Sequence, residues 1–182
     1  MKKIFYIAIG LIVVFLMYGL FTEMSKKKKP KRIACQEKTI TFEKINSSAS
    51  IKEGIELLKQ KAYTLQGKID YSVHMRSHLV NILSSEDVDL MIKKEIENYL
   101  NASNDNSIQH DKNLNINYTV YENDKEDKNK KNKDAKLYAG HIIFEFKLDN
   151  ILLYKIQTDY MNLDVKDLPD RIKCAFDSFV SL

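Results

Sequence analysis

Nineteen consecutive residues, Ile4 to Thr22, carry no charge, and they lie between Lys2-Lys3 and the basic block Lys26, Lys27, Lys28, Lys29, Lys31 and Arg32. At about 1.5 Å per residue the run makes a helix about 28 Å long, close to the roughly 30 Å hydrocarbon core of a bilayer. One membrane span is therefore expected over residues 4–22. Tyr18 to Met24 contains no A-x-A processing pattern, so the span reads as a retained signal anchor. The chain divides into an anchor at 1–25, a basic juxtamembrane linker at 26–36 and a soluble domain at 37–182.

This division changes the meaning of the net charge of +4. Of 29 basic and 25 acidic side chains, eight and one fall within residues 1–32, which leaves 21 and 24 for the rest of the chain. The remainder is mildly acidic. A nucleic-acid binder carries a basic face interleaved with aromatics, so nucleic acid is set aside as a partner. About 150 residues can bury one core without metals or disulfides, which predicts a single domain.

Two rules compete over which membrane side holds that domain. The positive-inside rule favours the cytoplasm, because six basic residues come after the span. A short positive segment before an apolar run is, conversely, the usual form of a signal anchor that exports the downstream chain. The cysteines favour export. On a C-terminal helix with Leu168, Ile172, Phe176 and Phe179 on its apolar face, Cys174 falls roughly opposite and is expected to be exposed. Cys35 stands just after the basic block, and a Cys35–Cys174 disulfide in an oxidising periplasm fits two such cysteines better than two stray thiols.

Periodicity then gives the elements. Lys38 to Glu43 alternates as a short strand, and Ile51, Ile55, Leu58, Ala62 and Leu65 recur at helical spacing, with Gly67 as the helix-ending residue. From Lys68 to Arg76 the period changes to two, which predicts a strand. Ser84 with Glu86 and Asp87 opens a helix whose stripe is Val88, Met91, Ile92, Ile96, Tyr99 and Leu100. Leu114 to Tyr121 alternates as a strand. Tyr138 to Leu148 and Leu152 to Tyr160 form a hairpin around Asp149-Asn150. Asp164 or Asp167 caps the last helix, with Pro169 in its first turn. Residues 122–136 hold no large apolar side chain and read as a flexible charged loop. The order β-α-β-α-β-β-β-α predicts an α+β class, with an antiparallel or mixed sheet packed by helices.

Chemistry-bearing clusters are scarce. His74 and His78 would share a metal on a helix, but on a strand four residues span about 13 Å. His141 with Glu145 reads as an ordinary polar face of a strand rather than an acid–base pair. Gly54, Gly67 and Gly140 are too far apart for a phosphate-cradling loop, and G-x-S-x-G, H-E-x-x-H, C-x-x-C and EF-hand patterns are missing. No catalytic residue, metal ligand or cofactor site is therefore assigned.

These readings converge on a non-enzymatic, single-pass protein of a bacterial inner membrane with a periplasmic domain. It is expected to bind other envelope proteins as an accessory or scaffold component. The layout is similar to that of accessory proteins of bacterial envelope transport and assembly machines. The alternative is a tethered carrier of a lipid or other apolar ligand, motivated by Tyr138, Phe144, Phe146, Tyr154 and Tyr160, which requires an enclosed apolar cavity.

Overall fold

A computed structural model describes residues 31–46, 48–100, 111–129 and 137–182, together with Phe15 and Met17. Residues 1–31 and 32–182 are two compact units. The expected membrane span lies outside the described residues apart from Phe15 and Met17, and no described helix is long and apolar enough to cross a membrane.

The second unit is an α+β domain. Its elements are α1 (Gln36–Thr39), β1 (Ile40–Ile45), α2 (Ser48–Lys59), β2 (Tyr63–Asp70), α3 (Ser85–Glu97), β3 (Leu114–Glu122), β4 (Gly140–Leu148), β5 (Ile151–Tyr160) and α4 (Leu168–Val180). The order is the expected one, preceded by the single turn of α1. The five strands form one mixed sheet in the order β1-β5-β4-β3-β2, in which only the β2–β3 pair is parallel.

Alternation places one side of each central strand in the core. On β3, Leu114, Ile116, Tyr118, Val120 and Glu122 are buried while the residues between them are half-buried, and β4 repeats the pattern from Gly140 to Leu148. The three longer helices cover this apolar side. Phe179 of α4 stacks on Phe146 with ring centroids 4.1 Å apart, and Phe176 meets Phe144 and Phe146 edge-on at 5.5 and 5.4 Å. Such pairs add to the area the rings bury. Asp149 and Asn150 turn the β4–β5 hairpin with φ of 50° and 63°, the left-handed conformation their residue types tolerate. At α3, Ser84 accepts from the Asp87 N–H while the Asp87 carboxylate accepts from the Ser84 N–H, a reciprocal cap.

Four expectations about individual residues and elements are corrected. The helix expected to run to Leu65 ends at Lys59, because Lys61 takes a φ of 59° and the N–H groups of Lys61 and Ala62 return to the Leu58 and Leu57 carbonyls. Gly67 therefore ends nothing; it sits in β2, where a Cβ would lie 2.1 Å from the Tyr118 ring. The strand expected at Lys68–Arg76 is instead β2 at Tyr63–Asp70, and from Tyr71 the chain leaves the sheet. Cys174 is buried rather than exposed: it is bonded to Cys35, immediately before α1, and α1 packs against both α4 and β5.

Two boundaries also move. Arg32 to Gln36, expected as linker, belong to the domain, and Gln36 is fully buried. Residues 122–124, expected in the flexible loop, are buried, while 130–136 lie outside the described residues.

Candidate functional site

Four places in the domain gather polar or exposed groups, and each traces to a local cause. The first is a clasp where the chain enters the domain. Cys35 and Cys174 are joined by a disulfide, with Cα atoms 5.8 Å apart and 139 residues between them in sequence. Beside it, the Glu43 carboxylate accepts from Arg32 Nη2 at 2.6 Å, Gln36 Nε2 at 3.0 Å and the Tyr154 hydroxyl at 2.6 Å. Arg32 also donates to the Ser178 carbonyl, and Gln36 to the Ser178 hydroxyl. Burial works to raise the Glu43 pKa, but the hydrogen bonds from Tyr154 and Arg32 outweigh it and hold the carboxyl below its ordinary value. Sequence alone marks Arg32 only as membrane-flanking charge; of that block, Lys31 and Arg32 fall within the described residues.

The second is the connection from β2 to α3, residues 71–84. Glu122 Oε2 accepts from the Ser72 N–H and hydroxyl, Glu122 Oε1 accepts from the His78 N–H at 2.6 Å, and Asp124 Oδ2 accepts from the N–H groups of Val73 and His74. Two carboxylates at the end of β3 therefore satisfy backbone that would otherwise seek a strand partner. That is why the alternating Tyr71, Val73 and Met75 do not extend β2. Burial pushes the Glu122 pKa up, and the hydrogen bonds from Ser72, Ser77 and His78 more than offset it, so the net shift is downward. His74 and His78 contribute mainly their backbone; the His74 ring lies 3.9 Å from Asp127, and no metal-binding cluster occurs among the described residues.

The third is the sheet face opposite the helices, where Asn115, Asn117, Thr119, Glu145, Lys155 and Gln157 are half-buried. His141 and Glu145 sit on this face but have different partners. The His141 ring stacks on Tyr121 at 4.7 Å, whereas Glu145 bridges Lys147 and Lys155 at 2.7 Å each. The two lysines lower the Glu145 pKa. A hollow of about 130 Å³ lies here, lined by Asn117, Thr119, Tyr121, Ile143, Glu145 and Lys155 among others. It is shallow and polar.

The fourth is a groove of about 510 Å³ along the outer edge of the sheet, between β2 and α3. Its apolar lining is Tyr63 and Leu65 from the strand with Ile96 of α3 and Leu100 just beyond that helix, and its rims carry Lys61, Asp89, Lys93 and Glu97. Gly67 leaves room for Tyr118 to lie across the strand, where its hydroxyl donates to Asp89 Oδ1 at 2.7 Å or the Ser85 carbonyl at 3.0 Å. Sequence reading missed this groove. Its signal was present in Tyr63 and Leu65, which alternate with Thr64 and Gln66, but the helical spacing of Ala62 and Leu65 masked it.

The aromatic side chains Phe144, Phe146, Tyr154 and Tyr160 are fully buried, and the first three share ring contacts with one another and with α4. Their apolar surface is used in packing. No protein-family model matches the chain, and no curated protein or solved structure is significantly similar to it.

Proposed function

We propose that this chain is a single-pass bacterial inner-membrane protein whose periplasmic domain binds other proteins, as a non-enzymatic accessory or scaffold component of an envelope complex. The observation that carries the reading is the Cys35–Cys174 bond, placed immediately after the uncharged run and its basic flank. Disulfides persist in oxidising compartments, so a domain stapled at the point where it leaves a membrane anchor belongs on the exported side. The uses of the carboxylates support a non-catalytic role. Glu43, Glu122, Asp124 and Glu145 are each occupied by structural donors or lysines rather than aimed into a common cleft. The mutual packing of the aromatic rings favours protein binding over carriage of an apolar ligand.

Thiol labelling and protease treatment of spheroplasts that hold the full-length chain test location. Both cysteines should resist maleimide until reduced, and the domain should be cut from outside. Free thiols together with a protease-resistant domain would place it in the cytoplasm. Pull-down of the full-length protein from membranes in mild detergent tests the interaction half, and a preparation that recovers the chain alone overturns it.

A further inference from the structure

The outer edge of β2 has no strand beside it among the described residues and carries an apolar groove, and both features come from the same residues. The Leu114 N–H donates to the Ala62 carbonyl, which fixes the phase of the parallel β2–β3 pairing. In a parallel pair alternate residues point their backbone groups to the same side. Thr64, Gln66 and Lys68 therefore face β3, while Tyr63, Leu65, Gly67 and Ile69 turn their N–H and C=O groups outward. Among the described residues none bonds to those outward groups. The pairing runs from Tyr63 to Asp70 without a bulge, and the strand contains no proline. Exposed, regular edges of this kind are templates for another strand.

Side chains add shape to that template. Tyr63 and Leu65 project toward α3 and line the groove, so a strand laid beside β2 would set its own alternate side chains between them and Ile96 and Leu100. About 510 Å³ holds two such side chains. We propose that β2 is a docking edge, and that an extended segment of a partner protein, apolar at alternate positions, adds there as a sixth strand. The proposal rests on the protein-binding reading above and names the mode of that binding. A hydrocarbon chain in the same groove would leave the outward donors and acceptors without partners, which is costly once water is displaced. A second copy of this chain is disfavoured by charge. Asp89, Lys93 and Glu97 recur at four-residue spacing along the α3 rim, so a two-fold pairing about its middle sets Lys93 against Lys93 and Asp89 against Glu97. A foreign strand meets no such repulsion.

The test pans a phage-displayed library of random dodecapeptides against the full-length chain in detergent micelles. Enriched peptides should alternate apolar and polar residues. A synthetic copy of one should slow amide exchange at Tyr63, Leu65, Gly67 and Ile69 by roughly tenfold or more, leaving Thr64, Gln66 and Lys68 unchanged. Leu65→Pro, which removes an outward N–H and no bond to β3, should weaken the peptide by roughly tenfold or more. The exchange pattern of the parent protein decides the matter even if that variant misfolds. The proposal falls if no peptide is enriched, if peptides bind without slowing those amides, or if the four amides are already protected in the free protein, as they would be with the edge covered by the chain itself or by a second copy. Peptides mapping to another surface would sink the docking edge and leave the protein-binding reading standing, whereas a pull-down that recovers the chain alone removes both.

Discussion

The two edges of the sheet are finished in opposite ways. At β1 the strand is six residues long, its register shifts between Ile40 and Phe42, and a disulfide and the Arg32–Glu43–Gln36 cluster secure the adjoining arm to α4. At β2 the strand is eight residues long and unbroken, and the chain leaving its far end is held by Glu122 of β3 and Asp124 just after it. A bulge blunts an edge, whereas a regular edge invites pairing. One edge is thus tied to α4 through its adjoining arm, and the other has no strand beside it among the described residues.

If the β1 side is the load-carrying one, the largest loss of stability should come from its disulfide. Replacing Cys35 and Cys174 together by serine removes a crosslink spanning 139 residues. For a loop of this length the chain-entropy cost is about 5 kcal/mol, the top of a usual range of about 2 to 5. Urea melts of the oxidised parent, the reduced parent and the double variant measure it. The comparison breaks if all three unfold at the same denaturant concentration.

At the β2 end the corresponding test is Glu122→Ala. It strips the acceptor from Ser72 and His78 at a site only 7 % exposed, and losses of hydrogen bonds to a buried charged group suggest about 2 to 3 kcal/mol. Acid should distinguish this site as well. Because the folded pKa of Glu122 lies below the ordinary 4.5, its stabilisation is complete above that pH and is lost as pH falls through the folded value. Glu122→Gln should therefore flatten the fall of stability below pH 4.5. An unchanged acid slope would mean that Glu122 does not hold the 71–84 connection.

A smaller effect is expected within β2 itself. The Cβ of Gly67→Ala meets the Tyr118 ring at 2.1 Å, so the ring must swing away from Asp89 and Ser85. Overpacking of this kind costs about 1 to 3 kcal/mol. Thermal melts combined with the tyrosine fluorescence of this Trp-less chain report the loss of stability and the movement of the ring. A melt identical to the parent would mean that Gly67 is not needed for the Tyr118 contact.

Legibility in the sequence divides along the same line. Strands and helices whose apolar spacing agrees with their backbone bonding, such as β3, β4, α3 and α4, could be read from period alone. The β2 region could not. Ala62 and Leu65 continue a helical spacing that Lys61 ends without glycine, so the local pattern and the backbone disagree. Tyr71, Val73 and Met75 keep a strand period while Glu122 and Asp124, some fifty positions away, capture the backbone. Sequence periodicity carries no information about such distant acceptors. Cys174 shows the converse: the helical period sets it apart from the apolar stripe of α4, but its burial comes with a bond to Cys35, 139 positions away, and the one-turn helix α1 beside that cysteine is too short to leave a periodic signal.

The smallest expected effect separates the two parts of the charged segment after β3. Glu122 and Asp124 bond to the connection behind β2, whereas Lys130 to Asp134 offer no apolar side chain for a core. Deleting Lys130–Asp134 shortens the β3–β4 connection by less than half, and each halving changes closure entropy by only about 0.6 kcal/mol. The deletion variant should melt within error of the parent, and its acid slope should match as well, since the carboxylates that set it remain. A deletion that began at Asp124 would behave differently, because it removes the acceptor for Val73 and His74 and frees one end of the connection. Should both deletions melt together with the parent, the support of the β2 edge would lie in Glu122 alone; should both melt far below it, the segment would be structural throughout, and the β2 side would be fixed as firmly as the β1 side.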